Sequence, residues 1–459
     1  MRRRLIREGT AVDEFRDLNL GDARLNRRAR QLVSALERQP AAGFPAAVHT
    51  AAEREATYRL LNNRRVSLEG LLAPHITQTG QRMQAAGERP LVVIDQTAFV
   101  FGGASARAGL TPLGVDRQGF NAMVALAVTP ARAPLGVLAL TPRPGNAGPA
   151  DARTWAAVVE QAAAALPAAV APIYVMDREA DAYELFAALL AQGRDFVIRV
   201  SAARLVQAYA EAAREGLRTV VARTPVQVER AVPLTRRTGL RKPPAARRRQ
   251  PPRPSRVAQL AIRACPVQVP RPPKRRETLP AHLSLHLVHV SEPTPPADAA
   301  PVEWLLLTTL PITDPSGITR IVDAYRARWT IEEYFKALKT GCAYEKRQLE
   351  SRTALLNALG LLAPLAWRLL ALRAAADDQA PATTVLEPDE LRVLRALSPD
   401  SRLPTAPTIA QALAAIARLG GHFPQNGRPG WRVLWTGFHK LRERVEGYRL
   451  ARADLTRVR

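Results

Sequence analysis

An α/β fold is predicted by two features of this 459-residue chain. Apolar, β-branched runs follow one another between turn residues with one helix among them, and the flanking stretches carry apolar residues at helical spacing. A third feature, a proline- and arginine-rich stretch with strand-like pieces inside it, predicts a β-rich insertion between the parts of that core. The length suits about two or three domains. With 66 Lys and Arg against 41 Asp and Glu the formal charge is +25, which suits a polyanionic partner such as nucleic acid. Two widely separated cysteines, Cys265 and Cys342, supply neither a disulfide framework nor a zinc site.

The first domain, to about residue 75, reads as helical. Asp22 can cap a helix that puts Leu25, Ala29, Leu32, Val33 and Leu36 on one side, and Thr50 with Glu53 fits a capping box for the next. Arg27, Arg28, Arg30, Arg64 and Arg65 make this unit strongly basic; a solvated basic face and a DNA-binding face both fit that pattern. Behind MRRRLIREGT there is no apolar stretch, so no secretory signal is visible.

From about residue 76 strands take over: LVVID, MVALAV and LGVLAL in succession, a helix from about Trp155 to Leu166, then IYVMD. That succession is what a ribonuclease-H-like fold shows. Asp95 and Asp177 each close an apolar run, and an acid at the end of a buried strand needs a reason to be there. Glu179, Asp181 and Glu184 follow closely and compete with Asp177 for any such role. The ribonuclease-H-like domain is expected over 76–375, with a β-rich basic insertion at about 205–310. Residues 233–280 hold its Arg/Pro runs, read as DNA-neutralising loops or, for 241–256, equally as a basic linker. In LSLHLVHV, strand alternation puts His282 and His286 on one face and His289 on the other, so no zinc site is expected.

The run YRARWTIEEYFKALK carries the most chemistry. On one helix, at about 100° per residue, Tyr325, Arg328, Glu332 and Lys339 project within roughly a 60° arc. Ile331, Phe335 and Leu338 take the adjoining arc and can pack on a core. Alone, such a face can be a salt-bridged surface. Together with Asp95 and Asp177 it supplies a third carboxylate, flanked by groups that bind phosphates. The apolar run from Ala354 to Leu372 is broken by Asn357, Pro364 and Arg368, and is expected to be a core helix rather than a membrane span. PTIAQALAAIARLGG closes on glycines, with a final helix after it.

These residues resemble a family. The Tyr–Arg–Glu–Lys spacing, the DREAD run beginning at Asp177, the order Asp95, Asp177, Glu332, and the segments RWTIEEYFKALKTG, EWLLLTTLP and AQALAAIARLGG are similar to the DDE transposases of the insertion-sequence-four group. The resemblance extends from about Asp13 to the last helix. It implies that Asp95, Asp177 and Glu332 hold two Mg²⁺ ions, with Mn²⁺ able to substitute, and catalyse cleavage and strand transfer at phosphodiester bonds. By the same resemblance Tyr325, Arg328 and Lys339 grip DNA phosphates, and Trp304 and Trp329 stack on a base flipped from the element's end. It also implies that the N-terminal domain recognises the double-stranded ends and that 376–459 forms a homodimer in a synaptic complex. A location at the bacterial nucleoid in the cytoplasm, with no membrane partner, goes with that reading. The alternative is a catalytically silent DNA-binding regulator. The intact acids weigh against it, because binding alone does not need them.

Overall fold

The computed structural model describes residues 11–38, 41–103, 105–209, 211–234, 254–273, 278–297, 299–398 and 403–457. Within the Arg/Pro-rich run at 233–280, residues 235–253 and 274–277 therefore lie outside the described residues. Two compact units result, each discontinuous in sequence. The first comprises Met1–Gly148, Val158–Ala171 and Trp329–Arg459, the second Pro149–Ala157 and Pro172–Arg328.

The first unit opens with helices α1 (Ala23–Arg38), α2 (Phe44–Ala47), α3 (Ala51–Leu61) and α4 (Leu68–Gln84). Asp22 caps α1 by accepting the Arg24 N–H at 2.7 Å. Ala29, Leu32, Val33 and Leu36 are buried as the periodicity requires, while Leu25 stays partly exposed. Thr50 and Glu53 form the expected capping box on α3. Strand β1 (Leu91–Gly102) pairs antiparallel with β3 (Arg117–Val128), which also pairs with β2 (Thr111–Gly114) and β4 (Pro134–Pro144). Helix α5 (Ala152–Ala164) follows, with only its part from Val158 onward belonging to this unit.

Later residues complete this unit. Helix α10 (Arg352–Ala374) is apolar on nearly every side and buried, and it packs against α4, β4 and α3. By length and composition it could cross a bilayer; its burial here makes it the core helix the sequence predicts. Its few polar groups are satisfied inside: Asn357 donates to the Leu61 carbonyl at 2.9 Å and the Trp367 indole to Pro134 O at 3.1 Å. The C-terminal helices α11 (Pro388–Leu397), α12 (Ile409–Leu419) and α13 (Trp431–Arg457) share an apolar cluster around Leu394, Leu413, Ile416 and Leu441. Gly420 and Gly437 let α12 and α13 touch backbone to backbone: a Cβ on either would overlap a carbonyl of the other helix. Arg449 and Arg452 of α13 pair with Glu387 and Asp389 at the start of α11. The buried Glu37 of α1 is approached by Arg368 of α10 at 3.5 Å and Arg442 of α13 at 3.2 Å.

In the second unit β5 (Ile173–Met176) runs parallel to β6 (Asp195–Arg199), with α6 (Tyr183–Ala191) between them in sequence. Strand β12 (Glu303–Thr308) pairs antiparallel with β6, β11 (His282–Ser291) with β12, β10 (Arg256–Pro270) with β11, and β9 (Val228–Leu234) with β10. The smaller β7 (Leu205–Val206), β8 (Glu215–Gly216) and α7 (Leu217–Ala222) precede β9. Among the described residues between Asp177 and Glu332, strands thus outnumber helices. Glu303 accepts from Arg218 and meets His289 Nε2 at 3.1 Å; Arg218 beside it holds its carboxyl down to about 2.

One buried network ties the start of the chain to the first unit's core. His75 Nε2 accepts the Val137 N–H at 3.0 Å, so the ring's proton sits on Nδ1 and is donated to Glu14. Arg82 donates to the same carboxylate at 2.8 Å and lies 4.1 Å over the Trp367 ring. Burial alone would raise Glu14, but His75 and Arg82 outweigh it and hold the carboxyl down to about 2. Burial depresses His75 against the opposing pull of Glu14. Both folded values lie below the unfolded ones, so this stability is full above about pH 6.5 and is lost as pH falls through that value and then through 4.5 towards 2. The Glu14 shift alone corresponds to on the order of 3 kcal/mol. Melting temperature should accordingly fall steeply between pH 5 and pH 3. Glu14→Gln, less stable at pH 7, should show a flatter acid limb in the same thermal scans; an unchanged limb would remove this network as its cause. Gly437→Ala should destabilise the α12–α13 contact and open the C-terminal helices to limited proteolysis, leaving fragments that end near residue 375.

Candidate functional site

Asp95 sits on β1, opposite Val124 of β3, with 7 % of its surface exposed. The sequence places it at a strand end, but β1 continues through Gly102. Gln96 to Phe101 keep pairing with β3, and Phe99 and Phe101 are buried beneath them. The carboxylate is therefore mid-strand, and its Oδ1 accepts the Gln96 N–H at 2.8 Å.

The helix expected to carry Tyr325, Arg328, Glu332 and Lys339 is three segments. Helix α8 (Pro315–Ala327) stops at Arg328, α9 (Trp329–Lys336) follows, and a π turn occupies Ala337–Gly341, closed by Cys342 N–H to Ala337 O at 2.8 Å. A π turn holds more residues than an α turn, so the uniform 100° step does not reach Lys339 and the single arc does not apply. Helix α9 packs on β1, which brings the half-buried Glu332 to the strand of Asp95. Lys339 reaches the same strand: its Nζ donates to Ala98 O at 2.7 Å and lies 5.5 Å from the Phe99 ring centre. Burial lowers the Lys339 pKa, while Glu345 and Glu332 pull it back up. Trp329 is 51 % exposed, with the Lys336 ammonium 5.8 Å over its ring.

In the second unit Asp177 directly follows β5, as its apolar run predicts, and caps a short turn by accepting the Glu179 N–H at 2.8 Å. Burial, with Asp177 close by, raises the Glu179 carboxyl. Asp181 is committed elsewhere: it accepts the Ser201 N–H at 2.8 Å and pairs with the partly covered Arg204. Tyr325 is nearly buried, its ring 5.4 Å from that of Trp304 in an edge-on contact. Burial raises its phenol, Arg328 and Arg199 counter this, Arg199 through a hydrogen bond, and the Asp177 charge is close enough to add to the rise. Arg199 went unnoticed in the sequence. Its signal was its position: Met176 of β5 stands beside Ile198 of β6, so Arg199, the last residue of β6, comes level with Asp177 just after β5. The structure thus gathers Asp177, Tyr325, Trp304, Arg199 and Arg328 in one unit, and Asp95, Glu332 and Lys339 in the other.

Of the basic N-terminal residues, Arg27, Arg64 and Arg65 are exposed, and Arg28 and Arg30 are partly covered. Arg30 donates to Arg16 O at 3.0 Å. Arg64 and Arg65 lie in the turn after α3, where Asn63 accepts the Arg65 N–H.

Carboxylate oxygens are the right donors for a hard divalent cation such as Mg²⁺. Among the described residues, however, no three His, Cys, Asp or Glu side chains form a group able to hold a metal.

Residues 7–66 match the family described as transposase DNA-binding, and residues 86–367 match the transposase DDE domain. The second match takes in β1 with Asp95, Asp177 after β5, and the α8–α9 segment with Glu332, and DDE domains generally work with divalent metals. Covering well over half of the chain, with a DNA-binding region ahead of it, that match makes this protein a member of the DDE transposase family.

Proposed function

We propose that this transposase is a cut-and-paste enzyme of the insertion-sequence-four group, of the kind that the Tn-five transposase represents. The observation that carries the reading is the meeting of Asp95, the Glu332 helix and Lys339 on a single strand inside the DDE match. Asp95, Asp177 and Glu332 would hold two Mg²⁺ ions, with Mn²⁺ as a substitute. Such ions supply an activated water and neutralise the entering and leaving oxygens of an in-line displacement at phosphorus.

The chain's own groups do the rest. Tyr325, Arg328 and Lys339 bind phosphates beside the scissile bond, and Arg199 orients the Tyr325 phenol to which it is bonded. Trp304 and Trp329 stack on a flipped base; the half-exposed face of Trp329 suits that role. Arg27, Arg28, Arg30, Arg64 and Arg65 hold the backbone of the element's end, and α11–α13 pair two protomers so that two ends are cut together. Nicking, hairpin formation on the opposite strand, hairpin opening and joining of the 3′ end to target DNA then follow at one site. The bacterial cytoplasm, where the nucleoid lies, is the matching location.

On a plasmid carrying the gene with its own flanking DNA, the protein with Mg²⁺ should release a discrete linear fragment. Glu332→Gln should retain end binding and lose cleavage by a factor of at least about 10³. Wild-type nicking by that variant would take Glu332 out of the site, and tight binding without any cutting by the intact protein would establish the regulator instead. Arg64→Ala should lower affinity for unrelated duplexes as much as for the ends, and reduce the slope of log affinity against log salt by about 1.

A further inference from the structure

Ala98 and Val100 are two residues apart on β1, so their backbone groups face the same edge. Side chains rather than a strand close that edge here. Lys339 Nζ donates to Ala98 O at 2.7 Å, and Val100 N–H donates to Glu345 Oε1 at 3.0 Å. The two side chains also face each other, with Lys339 Nζ 3.9 Å from Glu345 Oε1. The intervening chain is bent for the purpose. The π turn ends at Gly341, and Ala343 adopts φ +48°, a left-handed conformation costly for a residue with a Cβ. Tyr344 then fixes the bend by stacking edge-on against Phe99 at 4.9 Å and donating its hydroxyl to Leu355 O at 2.8 Å.

We infer that Glu345 is the positioning residue for Lys339: anchored on the Val100 amide, its charge holds the ammonium at the β1 edge where a DNA phosphate is met. This rests on the phosphate-binding role given to Lys339 above. Glu345 acts in two ways that chemistry can separate. A glutamine keeps an acceptor for the Val100 N–H and loses the charge that faces Lys339; an alanine loses both. A purely structural role would need only the acceptor.

The test is a double-mutant cycle in the full-length protein, using the plasmid with the gene's flanking DNA and Mg²⁺. It compares single-turnover cleavage, end affinity and melting temperature for wild type, Glu345→Gln, Lys339→Ala and the double variant. The expected result is that Glu345→Gln melts as wild type, binds ends as wild type, and cleaves about 5- to 20-fold more slowly. The double variant should be no slower than Lys339→Ala alone. Wild-type cleavage by Glu345→Gln overturns the inference, as do losses that multiply in the double variant; in either case the role of Lys339 stands if Lys339→Ala is slow. Normal cleavage by Lys339→Ala overturns both that role and the inference drawn from it.

Discussion

A helix that is apolar on nearly every side must be covered almost all round, and α10 imposes this on the first unit. Its cover comes from distant parts of the chain: α1, α3 and α4 from the N-terminal region, β4 from the strands, and α9, the π turn and α13 from what surrounds it in sequence. Each buried leucine contributes about 2 kcal/mol of gross burial, so no one of these neighbours can be withdrawn without a large loss. The discontinuity of the first unit follows. Distant stretches of chain are gathered round one helix; the helix with Glu332 is part of that cover, and the strand with Asp95 joins the same body through α9, which packs on it, and through β3, which links it to β4.

What was legible in the sequence was what is local. The caps at Asp22 and Thr50, the apolar runs that became β1, β3, β4 and β5, and the position of Asp177 after its strand each depend on a handful of adjacent residues. The mid-strand place of Asp95 was missed because an acid usually ends an apolar run, whereas here pairing with β3 carries the strand seven residues past it, to Gly102. The broken helix was missed for a different reason. The π turn at Ala337–Gly341 packs on α10, with Gly341 so close that a Cβ would stand 3.0 Å from the Leu369 side chain, a contact to a segment far along the sequence that no local pattern announces. Arg199 carried no motif; only the parallel pairing of β5 with β6 sets it level with Asp177.

The charge surplus also reads differently after folding. Arg347 is buried, its guanidinium bonded to the carbonyls of Ala42 and Cys342 and lying 4.9 Å over the Phe44 ring. Arg82, Arg204, Arg256 and Arg368 are likewise mostly covered and paired with Glu14, Asp181, Glu292 and Glu37. Planar guanidiniums with several donors suit this internal clamping better than lysine does. A part of the arginine content therefore holds the fold together, and the cations available to a polyanion are fewer than the formal charge suggests.

The tie between Lys339 and Ala98 spans 241 residues of chain. A ribosome adding about 5–20 residues per second completes β1 roughly 10–50 s before it makes the lysine that closes the strand's edge. Through that interval the nascent protein already carries its whole DNA-binding region, while the Ala98 carbonyl and the Val100 N–H on β1 wait for the side chains that bind them, and unpaired groups on a strand invite wrong pairing. A chain released early would stay in that state. The polypeptide acquires its DNA-binding region well before the end of its DDE domain, and the side chains that meet Ala98 and Val100 arrive with the latter.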